Sequence, residues 1–212
     1  MLAGCGNSTN DSTNTSAASE PAAQESVQPE AAESSAAETG EAADAQTDAD
    51  KVYQIGICQL LQHDALDAAT LGFKEALTDK LGEDKVKFDE QNASGDSATC
   101  ATIINQFVSA DVDLILANAT ASLQAAAAGT GTIPILGTSI TDYATALEID
   151  DWTGTTGKNI SGTSDLAPLK EQAAMLNELF PDAKTIGLLY CSAEANSVYQ
   201  ADTNQEYLEG YG

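Results

Sequence analysis

The 212-residue chain has no arginine. All eight of its basic residues are lysines (Lys51, Lys74, Lys80, Lys85, Lys87, Lys158, Lys170 and Lys184), and they face 33 acids, for a formal net charge of −25. So few scattered cations exclude a nucleic-acid partner, which needs clustered positive charge to neutralise phosphates. The same absence excludes an arginine fork as the clamp for an anionic ligand. No apolar run approaches the roughly 20 residues that a membrane-spanning helix requires. The single histidine, His63, has no neighbours of ligand type with which to hold a metal. No phosphate-binding loop, dinucleotide fingerprint or Ser-His-Asp order is present, and no cofactor is expected.

The first 50 residues differ from the rest. Leu2-Ala3-Gly4-Cys5 matches the bacterial lipoprotein processing box, in which a peptidase cuts before a lipidated cysteine. The small Ala3 and Gly4 suit a narrow protease groove, whereas the charged and hydrophobic parts of a signal peptide do not precede them. Residues 6–50 are drawn mostly from Ala, Ser, Thr, Glu, Asp, Gln, Asn and Pro, with ten acids, no base and Val27 as the one bulky aliphatic residue. Such a stretch cannot bury enough apolar surface to offset its ordering entropy, so it reads as an acidic tether.

From residue 52 the apolar pattern alternates between two kinds. Val52–Cys58, Val86–Phe88, Asp113–Ala117 and Ile133–Gly137 are short, apolar runs rich in β-branched residues and read as buried strands. Between them lie amphipathic helices. One carries Leu66, Ala69, Phe73, Leu77 and Leu81 and ends at Gly82. A second is capped by Asp96 and carries Ile103, Ile104, Phe107 and Val108, and a third spans the Ala-rich 122–128 stretch. Strand and helix in alternation predict an α/β fold, a parallel sheet covered on both faces. The pattern breaks from Asp142 to Ser161, where Gly and Thr cluster around Trp152. A helix over Pro168–Leu179, a buried strand over Thr185–Tyr190 and a helix from about Glu194 to Leu208 follow. Ile186-Gly187-Leu188 echoes Ile55-Gly56-Ile57, and the chain reads as one lobe and the start of another, clipped at its N-terminus and cut off within the second lobe.

Ligands of open parallel sheets bind outside the carboxyl ends of the strands. The sequence places Cys58, Gln59 and His63 there after the first strand, and Asn118, Ala119 and Thr120 after the third. Thr138, Ser139 and Asp142 follow the fourth, and Cys191, Ser192, Glu194, Asn196 and Ser197 follow the strand of the second lobe. Hydroxyls, amides and carboxylates without a cation fit a small zwitterion better than a phosphate. Its carboxylate would rest on helix N-termini and on Thr120, Ser139 or Ser197. Its ammonium would meet Asp142, Asp165 or Glu194, and an apolar side chain Tyr143, Trp152 or Tyr190. Ser, Thr, Asp and Asn at such positions also serve as ordinary helix caps. Cys58 and Cys191 read as buried structural thiols, with the acid and base of a cofactor-free racemase as the alternative. The three cysteines beyond Cys5 give no even disulfide set.

Several stretches together resemble the substrate-binding lipoproteins of ABC transporters of the tryptophan/tyrosine type. They are Ile55-Gly56-Ile57-Cys58-Gln59 with His63 and Ala65-Leu66-Asp67-Ala68, then Asn92-Ala93-Ser94-Gly95-Asp96, then Ile133 to Asp142, then Ile160 to Asp165, and last Lys184 to Ser197. The Ser-x-Glu-x-Asn-Ser run of the last stretch is the most specific. The resemblance implies a type I periplasmic-binding fold, two α/β lobes that close on a ligand. It further implies a cleft lined by Gln59, His63, Asn118, Thr120, Thr138, Asp142, Ser164, Asp165, Ser192, Asn196 and Ser197. The expected organisation is a lipoprotein signal remnant (1–5), an acidic linker (6–51), an N-terminal lobe (52–162), and a hinge with an incomplete second lobe (163–212). The expected function is capture of an aromatic or hydrophobic amino acid for the permease of an ABC importer, outside the cytoplasm, with the lipid on Cys5 in the membrane and no chemistry on the ligand. A racemase-like enzyme and an extracytoplasmic sensing domain are the alternatives.

Overall fold

The computed structural model describes residues 51–211. Cys5, and all of the expected linker except Lys51, lie outside the described residues. The described chain runs β1 (Tyr53–Gln59), α1 (Asp64–Leu81), β2 (Val86–Asn92), α2 (Ser97–Ser109), β3 (Leu114–Asn118), α3 (Thr120–Gly129), β4 (Ile135–Ile140), α4 (Tyr143–Ala146), β5 (Ile160–Ser164), α5 (Leu169–Leu179) and α6 (Ala195–Glu209). The strands form one sheet in the order β2-β1-β3-β4-β5, and every pairing is parallel.

Alternation along the strands sorts the core into two layers. Ile55, Ile57 and Leu116 face α1 and pack with Phe73, Leu77 and Phe88. Cys58, Ile115, Ala117 and Ile135 face the other way and pack with Ile104 and Phe107 of α2 and Leu123 and Ala126 of α3. Both faces of β1 and β3 are therefore covered, which explains why their sequences are apolar without a break. Phe107 lies flat on β1 because position 56 is glycine: a Cβ there would stand 2.6 Å from the Phe107 ring. Full burial of that ring and its aliphatic neighbours stabilises the fold by about 1.5–3 kcal/mol per side chain.

Helix ends follow the expected chemistry. Asp96 caps α2 by accepting from the Ala98 N–H at 3.1 Å. Gly82, at φ 98°, ends α1 in a conformation that glycine alone adopts freely.

Three features differ from the sequence reading. β5, in the Gly- and Thr-rich region where the sequence pattern broke, is an edge strand paired to β4, and the expected change of lobe at residue 162 falls within it. Its composition hid it, because only Ile160 is buried. Thr185–Tyr190 is not a buried strand. Among the described residues it has no ladder partner, and Leu189 is 102 % exposed with Ile186, Leu188 and Tyr190 also open to solvent. A strand's backbone and side chains are satisfied only by neighbours, so β-propensity alone does not bury this segment. For the same reason Cys191, at its end, is exposed rather than buried.

Candidate functional site

The winding of the sheet reverses between β1 and β3. From β1 the chain crosses to β2 on one side, and later returns to β3 and β4 on the other. Loops leaving β1 and β3 therefore diverge, and the crevice at their carboxyl ends is where a parallel sheet of this order takes a ligand. The residues singled out at the strand ends divide into four groups.

Gln59 and Asn118 end β1 and β3, but their side chains turn under α1. Thr70 donates to Gln59 Oε1 at 2.7 Å and accepts from Asn118 Nδ2 at 3.0 Å. Asn118 Nδ2 also donates to the Leu66 carbonyl at 2.8 Å, which fixes the orientation of its amide. Gln59 Nε2 donates to Asp67 at 2.6 Å and to the Leu61 carbonyl at 2.9 Å. Among the described residues, Asn118 Oδ1 is the one buried side-chain polar atom without a partner. These two amides hold α1 onto the sheet from beneath the crevice. Thr70 is the member that the sequence reading missed, although a polar residue four after Leu66 and three before Phe73 on an apolar face was the available signal.

The second group stands at helix starts. Exposed His63 precedes α1 and its Nδ1 accepts from the Ala65 N–H at 3.2 Å. Asp142 accepts from the Thr145 N–H at 2.7 Å, and Glu194 from the Ser197 hydroxyl at 3.1 Å. Asn196 and Ser197 occupy the first turn of α6, which packs on α4 and α5, and Ser192 is exposed in the loop before it.

The third group carries unusual backbone. Ala119 joins β3 to α3 at φ 90°, ψ 159°, a region that only glycine adopts without cost, and Ser139 lies at φ 57° in a bulge of β4. The Ala119 N–H donates to the Thr138 carbonyl at 3.0 Å, so the two departures are tied together. Thr138 and Ser139 thus lie inside β4 rather than after it. α3 begins with Thr120 and has no side-chain cap, like α5 and α6, whereas α1, α2 and α4 each have one.

The last group is at the exit of β5. The Ser164 hydroxyl donates to the Thr141 carbonyl at 2.8 Å, and the Asp165 N–H to the Ile140 carbonyl at 3.0 Å. Of the three aromatic residues weighed for an apolar ligand group, Tyr143 is half-buried with its hydroxyl on the Gly137 carbonyl, while Trp152 and Tyr190 are exposed.

The thiols lie apart from this crevice. Cys58 points into the α2–α3 layer, where its Sγ and that of Cys100 each lie 3.6 Å from the Ser122 hydroxyl. Its hydrogen bond to Cys100 and its burial push the Cys58 thiol far up, away from the thiolate. Because Cys58 is wholly buried and Cys191 exposed, the two do not face a common space. Among the described residues no cluster of His, Cys, Asp and Glu could hold a metal, and no helix is long and apolar enough to cross a membrane.

Comparison with known proteins places this geometry. Residues 54–212 match the family described as ABC transporter substrate binding protein. A tyrosine-binding protein of Clostridioides difficile is 41 % identical over 164 residues, 76 % of this chain and 47 % of its own length. The structure of a domain in complex with L-Trp from Streptococcus pneumonia is 34 % identical with a TM-score of 0.70, covering 76 % of this chain and 55 % of the other. The ligand-free, open structure of a substrate-binding protein with adhesive properties from Clostridium difficile is 40 % identical with a TM-score of 0.57, covering 75 % and 54 %. The chain spans about half the length of these relatives. A leucine-binding protein of Thermotoga maritima, 13 % identical with a TM-score of 0.59, shares the fold. The five-stranded parallel sheet and the helices around it form the first lobe of a type I periplasmic-binding fold, and the protein belongs to the ABC transporter substrate-binding family.

Proposed function

We propose that this chain captures a free amino acid, aromatic or hydrophobic, for an ABC importer. The observation that carries the reading is the uncapped start of α3 at the crevice, beside Thr138 and Ser139, with no arginine among the described residues. The first N–H groups of a helix form an anion site when no side chain occupies them. A carboxylate is the anion that such a site holds without a cation, and Thr120 adds a hydroxyl there. Asp142 or Asp165 receives the ammonium. The tyrosine-binding and L-Trp-bound relatives support an aromatic side chain as the remaining part of the ligand.

Mechanistically, the ligand bridges the crevice of the first lobe and the Ser192–Ser197 segment of the second, and its contacts with both shift the population toward a closed form. The ligand is, in this reading, bound and released unchanged. In this reading residues 52–162 form the first lobe and 163–212 the hinge and the start of the second. Residues 1–51 supply the lipid anchor at Cys5 and a tether, which holds the protein outside the cytoplasm near its permease.

A thermal-shift screen of the 212-residue chain against the twenty amino acids, common sugars and purines tests the proposal. The expected result is a rise in Tm with tyrosine or tryptophan that saturates with concentration. A rise with a sugar or purine and none with any amino acid overturns it.

A further inference from the structure

The edge of the sheet contains a lock that no sequence motif announced. β4 and β5 pair at Gly137 with Gly162 and again at Ile140 with Ser164, so β4 spends three steps where β5 spends two. The surplus residue makes a bulge at Thr138–Ser139, which is why Ser139 takes φ 57°. A bulge interrupts the ladder and leaves carbonyls near it without their regular donors. Tyr143, the first residue of α4, reaches back over the gap. Its hydroxyl donates to the Gly137 carbonyl at 3.0 Å and lies 3.3 Å from the Thr163 carbonyl, so one proton serves an acceptor on each strand.

The slot for this phenol exists because both flanking positions are glycine. A Cβ on Gly137 or on Gly162 would collide with the Tyr143 oxygen, and the Gly162 Cβ would also collide with the Gly137 carbonyl. Burial, with the charge of Asp165 adding to it, raises the phenol to about 12, so it remains a donor across the physiological range. Immediately beyond the lock, Ser164 and Asp165 bind back to Thr141 and Ile140, and the chain then leaves the sheet for α5.

We propose that Tyr143 is a positioning residue of the binding site: its hydroxyl holds the β4–β5 bulge in the shape that presents Thr138 and Ser139 to the crevice and fixes the point where β5 departs toward the second lobe. The inference rests on the reading that these residues meet an amino acid. Tyr143 itself does not touch the ligand.

Tyr143→Phe keeps the ring and removes the proton. Hydrogen exchange followed by mass spectrometry should show the amides of residues 138–140 and 163–165 exchanging about tenfold faster, the equivalent of one net hydrogen bond, with β1 and β3 unchanged. Affinity for L-tyrosine, by titration calorimetry, should weaken five- to tenfold, because Thr138 and Ser139 then lie off the geometry that meets the ligand and about one hydrogen bond to it is lost. Asn159→Ala is the control. It removes bonds to the Ile133 and Thr130 carbonyls at the far end of the same strand pair, so it lowers Tm comparably but leaves affinity within twofold. Unchanged exchange at the bulge, or equal loss of affinity in Tyr143→Phe and Asn159→Ala, overturns the inference. If no amino acid binds the unaltered protein, the functional reading fails, and the exchange data alone decide the role of Tyr143.

Discussion

Replacing Thr70 by valine changes almost nothing but two hydrogen bonds, so it measures what the buried amide network contributes. The side chain is nearly isosteric, and Thr70 is buried with its hydroxyl between Gln59 Oε1 at 2.7 Å and Asn118 Nδ2 at 3.0 Å. Losing two neutral bonds costs about 1 kcal/mol each. Gln59 Oε1 would retain only Asn118 Nδ2 at 3.5 Å, so a buried acceptor is left nearly unmet. That adds about 1 kcal/mol. Asn118 Nδ2 keeps the Leu66 carbonyl and contributes no further loss. The sum is about 3 kcal/mol, a fall in Tm of roughly 6–12 °C for a folded unit of this size. Thermal and urea unfolding followed by circular dichroism reads both quantities. Thr70→Ser, which keeps the hydroxyl and loses a methyl, should cost only about 1 kcal/mol, the price of one buried methyl with its small cavity. A valine variant within 0.5 kcal/mol of the parent, or a serine variant worse than valine, would refute the network and return Gln59 and Asn118 to the crevice as free ligand contacts.

Other consequences follow from backbone, burial and charge. Ala119→Gly relieves a backbone that costs about 1–3 kcal/mol for alanine, set against about 1 kcal/mol of added chain entropy. The variant should therefore unfold at equal or higher urea concentration, and a clearly lower midpoint would contradict the assigned φ. Iodoacetamide on the folded protein should label Cys191 while Cys58 and Cys100 react only after unfolding, read by peptide mass spectrometry. Asp96 is held below the usual carboxylate range by the Thr99 hydroxyl and the Ala98 N–H. Burial pushes Asp113 up, but Lys51 at 2.6 Å and the Gln54 N–H pull it down further. A carboxylate depressed on folding adds stability above its unfolded pKa of about 3.9 and loses it as pH falls through the folded value. Urea midpoints at pH 7, 4 and 3 should therefore fall in that order, and Asp113→Asn should flatten the drop. A steeper drop in the variant would reverse the sign of the argument.

The elements legible in the sequence were those whose pattern comes from burial on the sheet. β1, β3 and α2 are read from Ile55, Ile57, Ile115, Ile104 and Phe107 because each faces one of the two apolar layers. β5 was not legible, because an edge strand with Gly162 and Thr163 exposed carries no alternation, and its place depends on Tyr143 far along the chain. Thr185–Tyr190 failed in the opposite sense: its apolar run is genuine, but burial needs a partner that no local pattern supplies. At the site the strand ends were located, but the direction of the side chains was not. Gln59 and Asn118 are last in their strands, and period-two alternation turns both toward α1, a consequence available from Ile57 and Leu116 two positions earlier.

The missing arginine and the uneven caps belong to one electrostatic arrangement. The chain from residue 51 onward carries 23 acids against 8 lysines, so its field repels an anion arriving from solution. Within that field the helices at the carboxyl ends of the strands are not equivalent. α1, α2 and α4 have their first N–H groups met by His63, Asp96 and Asp142, whereas α3 follows Ala119 and α5 follows Pro168, neither of which offers a side-chain acceptor. A bare helix start stabilises a carboxylate by about 0.3–2 kcal/mol, less than a guanidinium fork would, and the surrounding acids oppose it. A lone anion therefore gains little there. On the proposed reading a zwitterion would gain at both ends, its carboxylate at α3 and its ammonium in the acidic surroundings, and the same acids that repel a simple anion would orient it. On that reading, the excess of negative charge favours a ligand that carries its own cation.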